Sequence, residues 1–354
     1  MSRTLAVPAL AALILLAGCA TPPAESDAPT DPAAQSLECA QMVTNSGGLN
    51  DRSFNETSWA GMERAQQELG VEVNALVSTT ESDLAPNVQA AVDTGCGFVL
   101  TVGYELVAAT EAQAGANPDV QFAIVDEIVD GDNVRSIVFD TAQASYLAGY
   151  TAASVSETGI VATFGGGNQP PVTLFMDGFA AGIDAYNEAK GADVQLLGWD
   201  PESQDGTFTG DFENVGLGQT QTQAFLAQGA DVILPVAGQV GEGAFRASLD
   251  AGGEALVIWV DNDGYDTLPA EFRPLLLTSI LKNTEDAVVT AVGDAADGTI
   301  SAEPIIGTLE NGGVDIAPFH DLESRVSDET KAELEALREQ IIAGEITIES
   351  PSSP

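Results

Sequence analysis

Short apolar runs alternate with helix-patterned segments along most of the chain, and this alternation constrains the fold more than any other feature. Alternation of this kind is typical of parallel sheets covered by helices. The predicted strands are Ala40–Thr44, Glu72–Val77, Phe98–Val102, Gln121–Val125, Ser136–Phe139, Ile160–Phe164, Gln195–Leu197, Asp231–Pro235, Leu256–Val260, Leu275–Ser279 and Glu303–Gly307. The predicted helices are Asn55–Leu69, Leu84–Thr94, Ala142–Ser156, Leu174–Lys190, Asn214–Ala227, Gly241–Ala251, Asn283–Asp297 and Asp328–Ala343.

The sequence also carries an internal repeat. Phe54 precedes Gly61 by seven residues, and Phe175 precedes Gly182 by the same interval. Two apolar runs that each end in Gly or Asp recur later in the same order: 97–103 matches 230–238, and 121–126 matches 255–261. A repeat in constant order indicates two similar units. We therefore expect an α/β fold of two doubly wound parallel-sheet lobes joined by a three-strand hinge.

The chain is expected to divide into a leader, a tether, two lobes and a tail. Residues 1–18 are assigned to a lipoprotein signal peptide, 19–36 to a disordered tether, and 346–354 to a C-terminal tail. The first lobe is expected to take 37–140 and 266–301, and the second 141–265 and 302–345. The chain would then cross between lobes near Phe139–Ala142, Asp261–Thr267 and Ser301–Ile306.

The N-terminus predicts an exported, membrane-attached protein. Arg3 precedes an apolar stretch, Leu5–Leu16, which leads into Leu-Ala-Gly-Cys19. This ending resembles a bacterial lipobox, in which Cys19 would be lipidated and hold the protein at the extracytoplasmic face of the cell membrane. An ordinary signal peptide is the alternative. The segment from 20 to 36 is rich in Pro, Ala, Asp and Ser, which is typical of a flexible tether.

Charge and histidine content exclude several function classes. The chain has 54 acidic and 11 basic residues, a formal net charge of −43, and it would repel nucleic-acid phosphates. Its single histidine argues against His-rich metal sites and against His-based acid–base catalysis. No metal, cofactor or catalytic residue is predicted.

Two further cysteines lie in the part of the chain that is expected to be exported, where the environment is oxidising. Cys39 opens the first predicted strand region and Cys96 the third. In a doubly wound sheet of order 2-1-3 these strands are adjacent, with both cysteines at their N-terminal ends. The sequence therefore predicts a Cys39–Cys96 disulfide, with two free buried thiols as the alternative.

Polar residues and glycines follow the predicted strands. The carboxyl ends of the strands carry Asn45, Gly103, Asp126, the run 165–167, Gly238 and Asp261. Ligands of open α/β sheets bind at these ends. Any one of these residues could simply form a strand-to-helix turn. Because both lobes show the same pattern, we favour a ligand site in the cleft between them.

One motif resembles a known family. The segment from Asn45 to Asn55 reads Asn-Ser-Gly-Gly-Leu-Asn-Asp-Arg-Ser-Phe-Asn, and Trp-Ala-Gly follows at Trp59. It resembles the basic membrane protein family, which are lipid-anchored substrate-binding proteins of ABC importers with a type I periplasmic-binding-protein fold. Further matches extend the resemblance from about residue 41 to 345. Several members of the family bind purine nucleosides.

The resemblance implies a set of ligand-binding residues. Phe54 and Phe175 would sandwich the base, one ring from each lobe, and Asn55 and Asp126 would read its edge. The remaining contacts would be Asp261, Gly238 and Lys282 on the ribose, with Asp51 and Ser53 lining the same pocket.

The function implied is a solute receptor with no enzymatic activity, which captures a nucleoside and delivers it to ABC permease subunits. Three alternatives stay open. Asp51 or Asp126 could serve a nucleoside hydrolase. The fold could belong to a regulatory or adhesive surface lipoprotein. The two phenylalanines could also stack on a sugar ring, as in a sugar receptor.

Overall fold

A computed structural model describes residues 37–354. The expected signal peptide, the tether and the lipidation site at Cys19 lie outside the described residues. Within 37–354, no helix combines the length and the apolar character needed to cross a membrane.

Strands and helices of the described part alternate as the apolar pattern predicts. The strands are β1 Cys39–Val43, β2 Glu72–Leu76, β3 Phe98–Val102, β4 Gln121–Val125, β5 Val134–Phe139, β6 Ile160–Gly165, β7 Gln195–Leu197, β8 Trp199–Asp200, β9 Asp205–Gly206, β10 Val232–Val236, β11 Leu256–Asp261, β12 Leu276–Lys282, β13 Ile305–Gly307 and β14 Val314–Ile316. The helices are α1 Phe54–Leu69, α2 Glu81–Asp93, α3 Val107–Ala116, α4 Thr141–Val155, α5 Pro170–Lys190, α6 Val215–Leu226, α7 Glu242–Asp250, α8 Gly264–Thr267, α9 Thr284–Ala296 and α10 Asp328–Ile342.

Every predicted strand and helix has a counterpart, and the sequence reading missed only short or weakly patterned elements. The strands β8, β9 and β14 have two or three residues each, too few to show a periodicity. Helix α3 is rich in alanine, so its buried and exposed faces differ little in hydrophobicity.

Twelve of the fourteen described strands form two six-stranded sheets with the same plan, and β8 pairs with β9 in a separate two-stranded sheet. The first sheet has the order β13-β5-β4-β3-β1-β2 and the second β14-β12-β11-β10-β6-β7. Within the two six-stranded sheets all neighbours are parallel except β14, which runs antiparallel to β12. The predicted α/β class with two doubly wound parallel sheets is confirmed. The repeated runs of the sequence fall at equivalent places, since β3 corresponds to β10 and β4 to β11.

Glycines allow each sheet to be covered closely by a helix pair. A β-carbon at Gly61 of α1 would lie 2.8 Å from the side chain of Val288 in α9. A β-carbon at Gly182 of α5 would lie 2.0 Å from the carbonyl oxygen of Tyr146 in α4. Both distances are too short for any larger residue, so the repeated Phe-to-Gly interval records a repeated helix contact.

The first sheet is covalently fastened between two of its strands. Cys39 at the start of β1 and Cys96 just before β3 are bonded, with their Cα atoms 5.0 Å apart. The strands are parallel neighbours, with Ala40 opposite Phe98. The amide of Gln41 lies 3.3 Å from the Cys96 sulfur. The bond closes a loop that contains α1, β2 and α2.

The crossings between the sheets differ in part from the expected boundaries. The crossing at Asp140 agrees with the expected one. The second crossing lies at Asn283 rather than near 261–267, because β12 pairs with β11 in the second sheet. The third lies between Gly307 and Val314, because β13 pairs with β5 in the first sheet. The sequence of a buried apolar strand does not show which of two similar sheets the strand will join, because both sheets offer it apolar neighbours.

The three crossing segments lie side by side. The backbone N–H of Asp140 donates to the carbonyl of Gly307 at 2.8 Å, and that of Asn283 donates to the carbonyl of Gly313 at 2.8 Å. Few side chains separate these segments, since Gly307 packs directly against Phe139. The arrangement is typical of a hinge between two sheets.

Candidate functional site: a crevice between two sheets

A crevice lies where the carboxyl ends of both sheets meet. Most of the predicted ligand-binding residues line it, namely Asp51, Phe54, Asp126, Phe175, Gly238, Asp261 and Lys282. A further set of lining residues was not among the predicted ligand contacts and includes Asn45, Tyr104, Glu105, Gln169, Phe212 and Gln239. Asn45 was named as a residue at a strand end and as the start of the family motif. The others lie in loops or in short 3-10 helices whose position depends on the tertiary fold.

Two aspartates at equivalent strand ends face one another across the crevice. Asp126 follows β4 with φ of 70°, and Asp261 ends β11 with φ of 73°. This left-handed region is uncommon for residues other than glycine, and it persists where the surrounding structure enforces it. The N–H of Asp126 is held by the carbonyl of Ile137 at 2.8 Å. The repeated strained conformation turns both carboxylates toward the crevice.

Lys282, the last residue of β12, lies between these carboxylates. Its Nζ is 2.6 Å from Oδ2 of Asp126 and 3.4 Å from Oδ1 of Asp261. Burial disfavours the charged ammonium, but the two carboxylates outweigh it and raise the pKa of Lys282 above its ordinary value. Burial also raises the pKa of Asp126, and the lysine offsets only part of that rise. The group is an Asp–Lys–Asp cluster shared by the two sheets.

Aromatic rings surround the same ammonium. Nζ of Lys282 lies 5.0 Å from the ring centroid of Phe54, 5.2 Å from that of Phe175 and 5.9 Å from that of Phe139. Each distance is within the range of a cation–π contact. Phe54 and Phe175 therefore border one small volume from opposite sheets, as the internal repeat requires.

A third ring enters the crevice from the segment between β9 and α6. Phe212 is half-buried, whereas Phe175 is only 1% exposed. The Phe212 ring packs on the bare backbone of Gly166, where a β-carbon would lie 2.3 Å from the ring. No periodic pattern precedes Phe212, so its place in the crevice could not be predicted from local spacing. Of the two rings on the second-sheet side, Phe212 offers a ligand more surface.

Asp51 lies under the N-terminus of α1. It accepts backbone N–H groups from Ser53 at 3.0 Å, Asn55 at 2.9 Å and Glu56 at 3.0 Å. Burial nevertheless raises its pKa from 3.8 to about 6, with a smaller contribution from the charge of Asp261. The three N–H donors oppose that rise, because they stabilise the ionised form.

Two predicted ligand contacts lie behind the lining and hold it in place. Ser53 is fully buried and donates its hydroxyl to Oδ2 of Asp261. Asn55 is also fully buried and donates from Nδ2 to Oδ1 of Asn45 at 2.7 Å. Asn45 is the residue of this pair that lines the crevice. Phe54 faces the crevice, whereas its neighbours Ser53 and Asn55 are buried behind it. The spacing of residues along the motif does not show which side chains face the ligand.

The perturbed carboxyl of Asp51 predicts a pH effect on stability. The folded chain binds the Asp51 proton more tightly than the unfolded chain, so its contribution to the free energy of unfolding falls as pH rises from 3.8 to about 6. Wild type and Asp51→Asn are to be compared by urea unfolding across this window. We expect the wild type to lose on the order of 3 kcal/mol relative to the variant. A difference that stays constant with pH would contradict the assignment.

The chain is similar to known proteins along nearly its whole length. The profile of the Bmp family, described as ABC transporter substrate-binding protein PnrA-like, matches residues 40–352. A Lactococcus lactis subsp. cremoris protein named ABC transporter nucleoside-binding protein BmpA is 30% identical, over 97% of each chain. A Listeria innocua protein named CD4+ T-cell-stimulating antigen is also 30% identical, over 98% of this chain and 96% of that one.

Solved structures show the same fold. A solute-binding protein of an ABC transporter system from Aeropyrum pernix K1 superimposes with a TM-score of 0.79 at 26% identity, covering 88% of this chain and 93% of that one. A second such protein, from Conexibacter woesei, has a TM-score of 0.68 at 21% identity, covering 89% and 100%. The family profile spans nearly all of the described residues, including both sheets and the crevice. The chain therefore belongs to the Bmp family of PnrA-like ABC transporter substrate-binding proteins.

Proposed function

We propose that this protein is a lipid-anchored receptor that captures a purine nucleoside in the crevice and delivers it to an ABC importer. The observation that carries the proposal is the combination of half-buried aromatic rings with the Asp–Lys–Asp cluster in one crevice between two sheets. Rings suit a flat base, and charged oxygen and nitrogen groups suit the hydroxyls of a sugar. The name of the Lactococcus lactis relative supports the same ligand class.

The base is proposed to stack on Phe54. The family resemblance implied a pairing of Phe54 with Phe175 across the base. The burial of Phe175 favours a different pairing, in which Phe212 supplies the opposing face and Phe175 forms the floor beneath Lys282. Asn45 and Asp51 border the same space and would meet the polar edge of the base.

The ribose is proposed to bind the Asp–Lys–Asp cluster. Asp126 and Asp261 accept hydrogen bonds, so they would receive the hydroxyl protons of the sugar, while Lys282 donates. Gly238, with φ of 52°, lets the ligand approach the backbone closely. Negative charge dominates the cluster, so a neutral nucleoside is favoured over a phosphorylated one.

Lipidation at Cys19 is proposed from the sequence alone. The segment that contains Cys19 would attach the receptor to the extracytoplasmic face of the membrane. Mass spectrometry of the protein isolated from its host membrane tests this step. An unmodified Cys19 in the mature protein would contradict it.

Ligand class is tested by a thermal-shift panel followed by calorimetry. We expect inosine, guanosine or adenosine to raise Tm, with a stabilisation of about 2.7 kcal/mol at a hundredfold excess over Kd. Ribose and hexoses serve as comparison ligands. A response to sugars with none to nucleosides would favour a sugar receptor, and free base released during incubation would favour a hydrolase.

The ring assignment is tested by conservative substitutions. Phe212→Leu and Phe54→Leu remove stacking while they keep an apolar side chain, and we expect each to weaken nucleoside binding by roughly 1–3 kcal/mol. Phe208→Leu is the matched control, because Phe208 comes from the same segment and packs on Gly165 but does not line the crevice. An unchanged Kd for Phe212→Leu, with a weakened Kd for Phe175→Leu, would restore the original pairing.

A further inference from the structure

An ion pair joins the two sheets beside the crevice. Nη1 of Arg52 lies 2.8 Å from Oε1 of Glu242. Arg52 precedes α1, which covers the first sheet, and Glu242 begins α7, which covers the second. Neither Arg52 nor Glu242 is among the described residues that line the crevice. Their ion pair therefore connects the sheets and does not contact the ligand.

A second contact from the second sheet holds the same arginine. Nδ2 of Asn262 donates to the carbonyl oxygen of Arg52 at 2.9 Å. The backbone of Arg52 is left-handed, with φ of 57°. Such a conformation is costly outside glycine and is kept only where neighbours enforce it. The backbone N–H of Arg52 also donates to Oε2 of Glu56 in α1 at 3.1 Å, a contact within its own half. Separation of the sheets would remove the two contacts from the opposite sheet, those of Asn262 and Glu242, together.

Glu242 depends on Arg52 more than the reverse. The side chain of Glu242 is 3% exposed, whereas that of Arg52 is 40% exposed. The other cationic neighbour of Glu242 is Arg246, four residues along the same helix, whose Nη2 lies 3.6 Å from Oε2 of Glu242. Opening of the crevice would leave a buried carboxylate with only this longer contact until water reaches it. Burying a charge without a close partner is unfavourable, so Glu242 favours the closed form.

Two further contacts between the sheets involve residues that also line the crevice. Ser53 reaches Asp261, and Gln169 donates to Glu105 at 3.2 Å. Asp261, Gln169 and Glu105 all line the crevice, so their substitution would alter ligand contacts directly. The Arg52–Glu242 ion pair, like the Asn262 contact, lies outside the crevice lining, so its effect on the closed form can be measured apart from ligand contact.

We propose that Arg52 and Glu242 form a latch that stabilises the closed crevice and slows the release of bound ligand. The inference rests on the proposed function, since the ligand must bind in the crevice and be retained by closure. The latch shifts the equilibrium between open and closed forms, and a ligand that binds the closed form is held longer by that shift. It acts on the dissociation rate more than on the association rate.

The test compares Arg52→Gln with Arg246→Gln. Both remove a cation that pairs with Glu242, but only Arg52 comes from the opposite sheet. Stopped-flow measurement of inosine, guanosine and adenosine dissociation is expected to give about three- to tenfold faster release for Arg52→Gln. Arg246→Gln is expected to change release less than twofold. Equal effects of the two variants, or none, would overturn the latch.

A double substitution and a scattering measurement complete the test. In Arg52→Gln/Glu242→Gln the second change is expected to add little to the first, since the interaction is already lost. Small-angle X-ray scattering without ligand is expected to show a larger radius of gyration for Arg52→Gln than for wild type. If no nucleoside binds the wild type, the proposed function fails, and the scattering comparison alone then decides the latch. Identical radii would reject it.

Discussion

Lys282→Met is expected to abolish nucleoside binding and to lower the free energy of unfolding by about 3–5 kcal/mol at neutral pH. The substitution keeps the length of the side chain and removes its charge. Asp126 and Asp261 would then face one another in a buried site without a cation between them. Loss of one partner from a buried charge cluster leaves the full desolvation cost of the others.

The pH dependence of this variant identifies the cause. Without the lysine, the raised pKa of Asp126 rises further, because burial is then opposed by no nearby cation. Lowering the pH toward 5 would protonate that carboxyl, and the variant should regain part of its lost stability. Urea unfolding at pH 7.5 and 5 measures the effect. A loss that is the same at both pH values would point to lost packing rather than unpaired charge.

The matched control is Lys331→Met. Lys331 pairs with Glu323 near the surface, where it is more exposed than Lys282. Surface ion pairs contribute about 0–1 kcal/mol, so the control is expected to unfold nearly as the wild type does and to bind nucleoside normally. A comparable loss in the control would contradict a special role for the Asp–Lys–Asp cluster.

Removal of the disulfide is expected to cost about 4 kcal/mol of stability. The bond between Cys39 and Cys96 closes a loop with a sequence separation of 57 residues. A cross-link of that span removes much of the freedom of the unfolded chain, which is the main source of its effect in the chain-entropy account. The affected region is the first sheet, which carries Phe54 and Asp51.

Urea unfolding of the Cys39→Ala/Cys96→Ala variant measures this cost. The oxidised wild type and the fully reduced wild type are run beside it, and the reduced protein is expected to resemble the variant. Binding affinity should change little under conditions where the variant stays folded, because the disulfide does not line the crevice. A stability difference below about 1 kcal/mol would show that the bond does not constrain the unfolded chain.

Local pattern predicted much of the fold. Apolar runs such as 98–102 are buried along their whole length, as expected for a strand covered on both faces. The repeat of Phe and Gly located both helix pairs, and the repeat of Gly and Asp located both strand ends that meet in the crevice. These features depend on residues that lie close together in the sequence, so they can be recognised from the sequence alone.

The structure differs from the sequence expectations where distant segments decide the outcome. The side chain of Asn55 points into the protein and Asn45 reaches the crevice instead. Phe212 follows no periodic pattern, and its place depends on how the segment after β9 folds over the glycines that end β6. The strand β12 was expected beside the first sheet and pairs with the second.

The sequence alone determined the α/β class, the repeat, the adjacency of β1 and β3, and seven of the twenty residues that line the crevice. It could do so because strand and helix periodicity and residue order at strand ends are local properties. Only the tertiary structure decided which sheet each returning strand joins, which ring of the second half stays exposed, and that Arg52 meets Glu242. Those outcomes depend on packing between segments that lie far apart in the chain, where many sequences satisfy the same local pattern.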